Sequence, residues 1–337
     1  MTKPTKWKTQ REAFIESLSY LQGRQNGTIT SIKTPWVKFN DATTAGIEWH
    51  STTVIGARPA TGKTLIKDLL ITGAFQLNPL MNFRVLEFQF EMLGKNSVIR
   101  EYSKVTGGTY KYLCSADGKL TDEDFEKCKA YAKAKLKFPI DIVEEACTVP
   151  EFKDIIEDYM LLHSSTKTEK NATTGKNEVI KVYKNTIITL DHSLLLDNQP
   201  YGNDMEMLKA LGKTLTALKR KYPIAFIILS QLNRNIDAPE RNEDGKYGNF
   251  ILPSDIFGSD ALLQHADTMI GLNRPGKQKI RYYGVERYII ENDNVLAMHF
   301  LKCRNGETGI GFFNTLFHKM DMEELATPAK QERRIRT

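Results

Sequence analysis

The sequence has little of what marks a secreted, metal-clipped or membrane-spanning chain. Its four cysteines stand at positions 114, 128, 147 and 303, and no two form a C-x-x-C pair. A structural zinc site needs clustered ligands and a disulfide scaffold needs a short secreted chain, so these residues read as reduced cytosolic thiols. No run approaches the roughly 18 uninterrupted apolar residues of a transmembrane helix, so no membrane partner is expected. The first ten residues are basic but have no apolar run behind them, and do not read as a secretory signal. No internal repeat is visible. The net charge of +6 favours an anionic partner only mildly and decides nothing by itself.

What is present is a globular composition. Of 337 residues, 41% are apolar and 26% charged, which is ample for a core. Length alone suggests about two domains of ~150 residues. The organisation points instead to one large domain over residues 31–318, behind an N-terminal helix and connector (1–30) and before a charged tail (319–337) expected to be disordered. Phe14, Ile15, Leu18 and Leu21 recur at helical spacing, so residues 11–22 form a helix with one apolar stripe that must bury against its own domain or a neighbouring subunit.

From Thr53 onward short apolar strands alternate with helical patterns. Strands are expected at Thr53–Gly56, Arg84–Phe90, Ile140–Val143, Thr186–Leu190, Ala225–Leu229 and Thr268–Leu272. Helices are expected at Lys63–Gln76, Lys95–Val105, Thr121–Leu136, Val149–His163, Asp204–Lys221 and Ser259–Gln264. Such alternation specifies an α/β fold, a mostly parallel central sheet flanked by helices. Tyr282–Glu291 and Val295–Cys303, joined by Asn292-Asp293-Asn294, read as a β-hairpin. Residues 164–185 are polar and read as an exposed insertion or long hairpin.

The strongest local signal is an apolar strand running into Ala57-Arg58-Pro59-Ala60-Thr61-Gly62-Lys63-Thr64 and then a helix. Backbone N–H groups of such a turn, with the positive end of the helix, cradle a phosphate. Lys63 would reach the terminal phosphates of ATP and Thr64 would ligate Mg²⁺. Ala57 stands where the phosphate-loop pattern has its first glycine. Phosphoryl transfer also needs a base, a second handle on the metal and a γ-phosphate sensor, each at the C-terminal end of a parallel strand. Glu91, Asp191 and Gln231 occupy such strand ends and take these three parts in turn.

In this order the motifs resemble the C-terminal motor domain of DnaB-type replicative DNA helicases, a RecA-like ATPase, over roughly residues 11–315. ARPATGKT looks like the family's phosphate loop, which also has Ala first; FQFEM, TIITLD and LSQLNR are similar to its segments carrying the glutamate, the Mg²⁺-side acid and the sensor. Lys302-Cys303-Arg304-Asn305-Gly306 resembles its hairpin with a trans-acting cationic finger. The resemblance implies a homo-hexameric ring binding ATP and Mg²⁺ between subunits, with Glu91 catalytic, Lys302 and Arg304 reaching the neighbour's γ-phosphate, and the N-terminal helix docked on that neighbour. It implies movement along single-stranded DNA with strand separation, in a bacterial cytoplasm, with a phage or other mobile element as a candidate source. The family's N-terminal domain, which engages primase, has no counterpart here, so the contacts made through it do not carry over; a primase or helicase loader is a candidate partner all the same.

A ring motor grips its strand through loops facing the channel. The candidates are residues 197–204, poor in cations, and 235–259, which hold Arg241, Lys246, Tyr247, Asn249, Phe257 and Gly258. Phe257 and Gly258 stand where the family has an Arg-Glu pair, which would shift the grip to Lys246 or to backbone amides. After the Mg²⁺-side acid this chain has His192 where the family usually has tyrosine, and His192 reads as a packing or loop residue. Two other functions remain open: a RecA-like recombinase or signalling ATPase that does not unwind DNA, and a nucleotide-sensing assembly factor that does not hydrolyse.

Overall fold

The structure, a computed structural model, describes residues 7–170, 177–241 and 249–331. The strands are β1 (Ser51–Ala57), β2 (Phe83–Gln89), β3 (Ile140–Val143), β4 (Ser165–Lys170), β5 (Asn177–Val182), β6 (Asn185–Asp191), β7 (Ile224–Gln231), β8 (Thr268–Asn273), β9 (Tyr282–Tyr283), β10 (Tyr288–Ile289), β11 (Val295–Cys303), β12 (Gly309–Leu316) and β13 (Asp321–Leu325). The helices are α1 (Gln10–Gln25), α2 (Val37–Ala42), α3 (Lys63–Leu77), α4 (Gly94–Glu101), α5 (Ser103–Thr106), α6 (Tyr110–Leu113), α7 (Asp122–Lys135), α8 (Val149–Leu162), α9 (Asp204–Lys221) and α10 (Ser259–Leu263).

Nine strands form one sheet in the order β13-β12-β11-β8-β1-β7-β6-β2-β3. From β8 to β3 every pairing is parallel; β11, β12 and β13 add antiparallel at the other side. The fold is therefore α/β, a mostly parallel sheet flanked by helices, as the alternation of strands and helices specifies. Alternation along β7 explains why the sheet is covered on both faces. Ile224, Phe226 and Ile228 point into a core shared with Phe152, Ile156 and Met160 of α8 and with Leu208, Leu211 and Leu215 of α9. Ala225, Ile227 and Leu229 point into the opposite core, with Trp36, Phe39, and Ile66, Leu70 and Ala74 of α3.

Two expectations fail on strand pairing. Tyr282–Glu291 does not pair with Val295–Cys303: β9 pairs with β10 in a small ribbon, and β11 lies between β8 and β12. The Asn-Asp-Asn turn signal was real but local, and the longer apolar partners captured β11. The chain after Asp321 is not a disordered tail as far as residue 331. β13 pairs with β12, the Trp36 indole N–H donates to Met322 O at 3.3 Å, and Ile289 N donates to Ala329 O at 2.9 Å. Arg333, Arg334 and Arg336 lie outside the described residues. β4 and β5 form an exposed antiparallel ribbon.

Helix α1 starts with a capping box, Thr9 accepting from Glu12 N while the Glu12 carboxylate accepts from Thr9 N. Its apolar stripe is not buried. Phe14, Ile15, Leu18 and Leu21 are 61%, 59%, 66% and 60% exposed. An isolated helix of this length is marginal in water, so the stripe calls for a partner surface.

Candidate active site

The phosphate-loop residues leave β1 after Ala57 and enter α3 at Lys63. Gly62 caps α3 with φ of +112°, a backbone conformation that calls for glycine, and a Cβ there would lie 3.1 Å from the Phe317 ring, a tight fit. Arg58 is held by the Asp237 carboxylate. Arg58, Pro59, Ala60, Gly62, Lys63 and Thr64 line a cleft of about 680 Å³, and Glu91 and Gln231 line the same cleft. Thr61 is buried behind the loop. A contiguous hollow of about 300 Å³ contains Thr64, Glu91 and Asp191. The sheet thus brings together the predicted Lys63, Thr64, Glu91, Asp191 and Gln231, because β1, β2, β6 and β7 run parallel and end on one edge.

The electrostatics of this edge are unfinished. Burial lowers the pKa of the Lys63 ammonium, with Asp191 and Glu91 opposing the shift. Thr64 Oγ1 donates to Asp191 Oδ2 at 2.9 Å, while Asp191 Oδ1 is buried without a hydrogen-bond partner among the described residues. An orphaned carboxylate oxygen beside a hydroxyl suits a hard cation. Mg²⁺ normally takes one or two protein ligands and fills its shell with phosphate oxygens and waters, so the residues fit it.

Several residues of this edge were not singled out from sequence. Lys67 is fully buried, donating to Glu87 Oε2 at 2.6 Å with Asp68 Oδ1 at 3.1 Å, which locks α3 onto β2. Burial pushes the Asp68 carboxyl up to about 6, against the pull of Lys67. Arg274 stacks over the Phe317 ring at 4.5 Å, and both line the outer wall of the cleft. Nothing in a one-residue motif signals either feature; each depends on pairing between distant strands.

His192 is buried, in keeping with a packing role, and its place beside the site adds to that reading: the Gln231 amide nitrogen is placed 3.0 Å from its ring Nε2. Burial lowers its pKa, Lys63 adds to the shift and Asp191 opposes it.

Lys302 and Arg304 are not in the cleft. Cys303 pairs with Thr268, and Thr268 with Thr53, whereas the phosphate loop begins after Ala57. Four strand residues at ~3.3 Å each put the two cations about 13 Å below the start of that loop. There Arg304 pairs with Asp267 at 2.8 Å and remains 52% exposed, and Lys302 Nζ donates to Leu263 O at 2.5 Å. Burial lowers the Lys302 pKa, with Arg304 adding to the effect. Asp267 also receives Thr52 N–H and the Lys219 ammonium.

The candidate DNA loop leaves β7 after Gln231 and returns alongside it, Phe257 N donating to Gln231 O at 2.8 Å. Arg241 is not available to a phosphate backbone. It is buried, with both terminal nitrogens 2.9 Å from the Asp255 carboxylate and one also on Phe250 O. Asn249 is likewise buried, donating to Ile236 O. A desolvated guanidinium needs such a paired acid, and this pair shapes the loop from within. Phe257 packs half-buried on the core, and Gly258, with φ of +66°, caps α10 against Leu208. Lys246, Tyr247 and Gly248 lie outside the described residues.

A family model described as DnaB-like helicase C terminal domain matches residues 31–322. The replicative DNA helicase DnaB of Buchnera aphidicola subsp. Schizaphis graminum is 27% identical over 263 residues, covering 77% of this chain and 50% of the relative. The replicative DNA helicase DnaB of Geobacillus stearothermophilus is 24% identical over 302 residues, covering 87% of this chain and 56% of the relative. A solved DnaB-like replicative helicase, described with its interactions with primase, superposes with a TM-score of 0.73 at 19% identity, over 94% of this chain and 69% of that one. A second solved structure, an isolated ATPase domain, gives 0.71 at 19% identity, over 92% of this chain and 98% of that one. The chain spans about half the length of the curated relatives it matches. Likeness at 19% identity carries the fold alone. Taken with the phosphate loop, the strand-end acids and the family match over most of its length, this chain belongs to the DnaB-like helicase C-terminal domain family.

Proposed function

We propose that this chain is the ATP-hydrolysing motor of a hexameric DNA helicase that moves along single-stranded DNA and separates strands. The observation that carries the reading is a division of labour. One edge of the sheet gathers the loop residues with Glu91, Asp191 and Gln231, while Lys302 and Arg304 sit at the opposite edge, out of reach of them. A second copy supplies the missing cations if subunits stack edge to edge, and the exposed stripe of α1 is a surface to hold such a neighbour.

In this reading the loop amides and Lys63 bind the β- and γ-phosphates. Thr64 and Asp191 would hold Mg²⁺, which would supply positive charge to offset that of the phosphate oxygens. Glu91 takes a proton from the attacking water. Gln231 donates to the γ-phosphate, and Arg304 and Lys302 of the neighbour stabilise the charge that develops in transfer. Arg274 and Phe317 form a cationic and aromatic wall for the nucleoside end. The hydrogen bond from Phe257 N–H to Gln231 O ties the DNA loop to the sensor, so a change at the γ-phosphate is transmitted to the strand. With Arg241 and Asn249 committed inside the loop, backbone amides near Gly258 and the residues Lys246 and Tyr247 are the contacts left for DNA. Primase and loader contacts, and work in a bacterial or phage-infected cytoplasm, belong to this proposal too.

The test is a fork-unwinding assay run alongside ATPase measurements, with Lys63→Ala and Arg304→Ala as controls. Unwinding that needs both residues, with hydrolysis stimulated by single-stranded DNA, is the expected result. Robust hydrolysis without unwinding points to a recombinase or signalling ATPase instead, and absence of hydrolysis to a nucleotide-sensing assembly factor.

A further inference from the structure

His192 follows the metal-side acid at the end of β6, beside the end of β7 that carries Gln231. Its ring is buried and has two polar neighbours. Leu194 N donates to Nδ1 at 3.3 Å, and the Gln231 amide is placed with its nitrogen 3.0 Å from the ring Nε2, although the two ends of an amide are assigned from just such contacts. A neutral imidazole carries one N–H and one lone-pair nitrogen. Because Nδ1 spends its lone pair on Leu194, the proton sits on Nε2. Two N–H donors cannot face each other, so the amide takes the orientation in which Gln231 Oε1 accepts from Nε2–H. That leaves the Gln231 NH₂ as the group offered to the cleft it lines with Lys63, Thr64 and Glu91.

A phosphate has only acceptor oxygens. An amide presenting NH₂ is attracted to it; the same amide turned by 180° presents an oxygen and is repelled. Nothing in the Gln231 side chain itself chooses between the two, since amide ends have nearly the same size. We propose that His192 is a positioning residue that locks the Gln231 amide with its NH₂ toward the γ-phosphate, through a fixed relay from Leu194 N–H to Nδ1 and from Nε2–H to Oε1. This inference rests on the triphosphate reading of the cleft.

Four changes test it, read as kcat and KM for ATP hydrolysis by the full chain with single-stranded DNA. His192→Asn keeps an acceptor for Leu194 but cannot reach Gln231, and should lower kcat by at least about 10-fold with KM within about 2-fold. His192→Gln places an amide N–H where Nε2–H stood, and should recover kcat to within about 3-fold of wild type. Gln231→Glu keeps an oxygen for His192 but lacks the NH₂, and should fall as far as Gln231→Ala. In a Gln231→Ala background, His192→Asn should cost nothing further, because it acts only through that amide. The proposal is overturned if His192→Gln is as impaired as His192→Asn, if the His192→Asn and Gln231→Ala losses multiply, or if Gln231→Glu turns over normally. Lys63→Ala separates the two layers: if it leaves hydrolysis intact, the triphosphate reading itself falls, whereas its loss alongside wild-type behaviour of His192→Asn sinks only the relay.

Discussion

The two ends of the parallel strands differ in how their charges are paired. At the C-terminal end Lys63 has its pKa lowered by burial, and Asp191 keeps a buried oxygen with no partner among the described residues. At the N-terminal end Asp267 is saturated, receiving Thr52 N–H, Lys219 and Arg304. Buried polar groups in folded proteins are almost always satisfied, and Thr52 Oγ1 at the N-terminal end is an orphan too, but only at the C-terminal end is the orphan a carboxylate oxygen, on a residue that lines an open hollow. The opposite edge holds a half-exposed arginine resting on a carboxylate, an arrangement that surface salt bridges stabilise only weakly and that a phosphate displaces. The first edge already carries Arg58, Lys63 and Arg274, so what the proposed shared site would borrow from a second copy is not charge in general but the exposed Arg304.

The largest effect should come from removing the lent charge. Arg304→Ala is expected to cut DNA-stimulated turnover by about 10³-fold while nucleotide affinity stays within about 3-fold, as for a trans-acting arginine finger. Mixing Arg304→Ala with Glu91→Ala chains should restore part of the activity, because some interfaces then pair an intact cleft with an intact cation. Unchanged turnover in Arg304→Ala would break the comparison outright. Arg241 sharpens it from the other side. It is also an arginine in a candidate site, but its partner Asp255 is buried with it. Arg241→Ala should therefore destabilise the fold by about 4 kcal/mol, seen in denaturant unfolding, through the uncompensated charge left behind. Arg304→Ala should leave the same unfolding curve nearly in place.

A smaller effect is expected from the stripe of α1. Leu18 is 66% exposed in one copy, so Leu18→Asp should leave the unfolding of a dilute single chain unchanged. If the stripe is covered in the assembly, each interface loses up to about 3 kcal/mol, and sedimentation should show the oligomer dissociating at higher concentration. Sedimentation indistinguishable from wild type would mean the stripe faces solvent.

The layout of strands and the residues at their ends were legible because each is set locally. Alternating apolar runs specify strand and helix, and a phosphate loop needs small residues, Lys63 and Thr64 at fixed spacing. What escaped depends on pairing across the chain. Whether Val295–Cys303 pairs with its neighbour in sequence or with Gly309–Leu316 is decided by competition among apolar strands, which no turn motif reveals. Arg241 looked like a cation for DNA because only the folded loop brings Asp255 to it. His192 read as packing alone because its neighbour Gln231 is brought alongside only when β6 and β7 pair. Met322 lies buried among charges, so an edge strand read as a disordered tail.

A group belonging to neither end offers the mildest test of the same contrast. His299 lies mid-way along β11, opposite Gly271 of β8, and its Nε2 accepts from the Tyr283 hydroxyl at 2.7 Å. It is fully buried, and burial pushes its pKa down to about 3 from an ordinary 6.5. Above pH ~6.5 the ring is neutral folded or unfolded, so this group adds no pH dependence there. As pH falls below that value the unfolded chain takes up a proton that the folded core refuses, and stability declines until the folded pKa is reached. At pH 5 the loss from this group is about 2 kcal/mol, the 1.5-unit gap below the unfolded value at about 1.4 kcal/mol per unit. His299→Gln keeps an acceptor for Tyr283 and removes the titration, so its stability should decline less between pH 7 and pH 5 than that of the wild type. Because His299 touches neither the cleft nor Asp267, the nucleotide affinity and the turnover of the folded enzyme at pH 7 should not change. A shift in either would mean that β11 transmits strain between the two ends, and that they do not act as the independent half-sites of the proposed shared site.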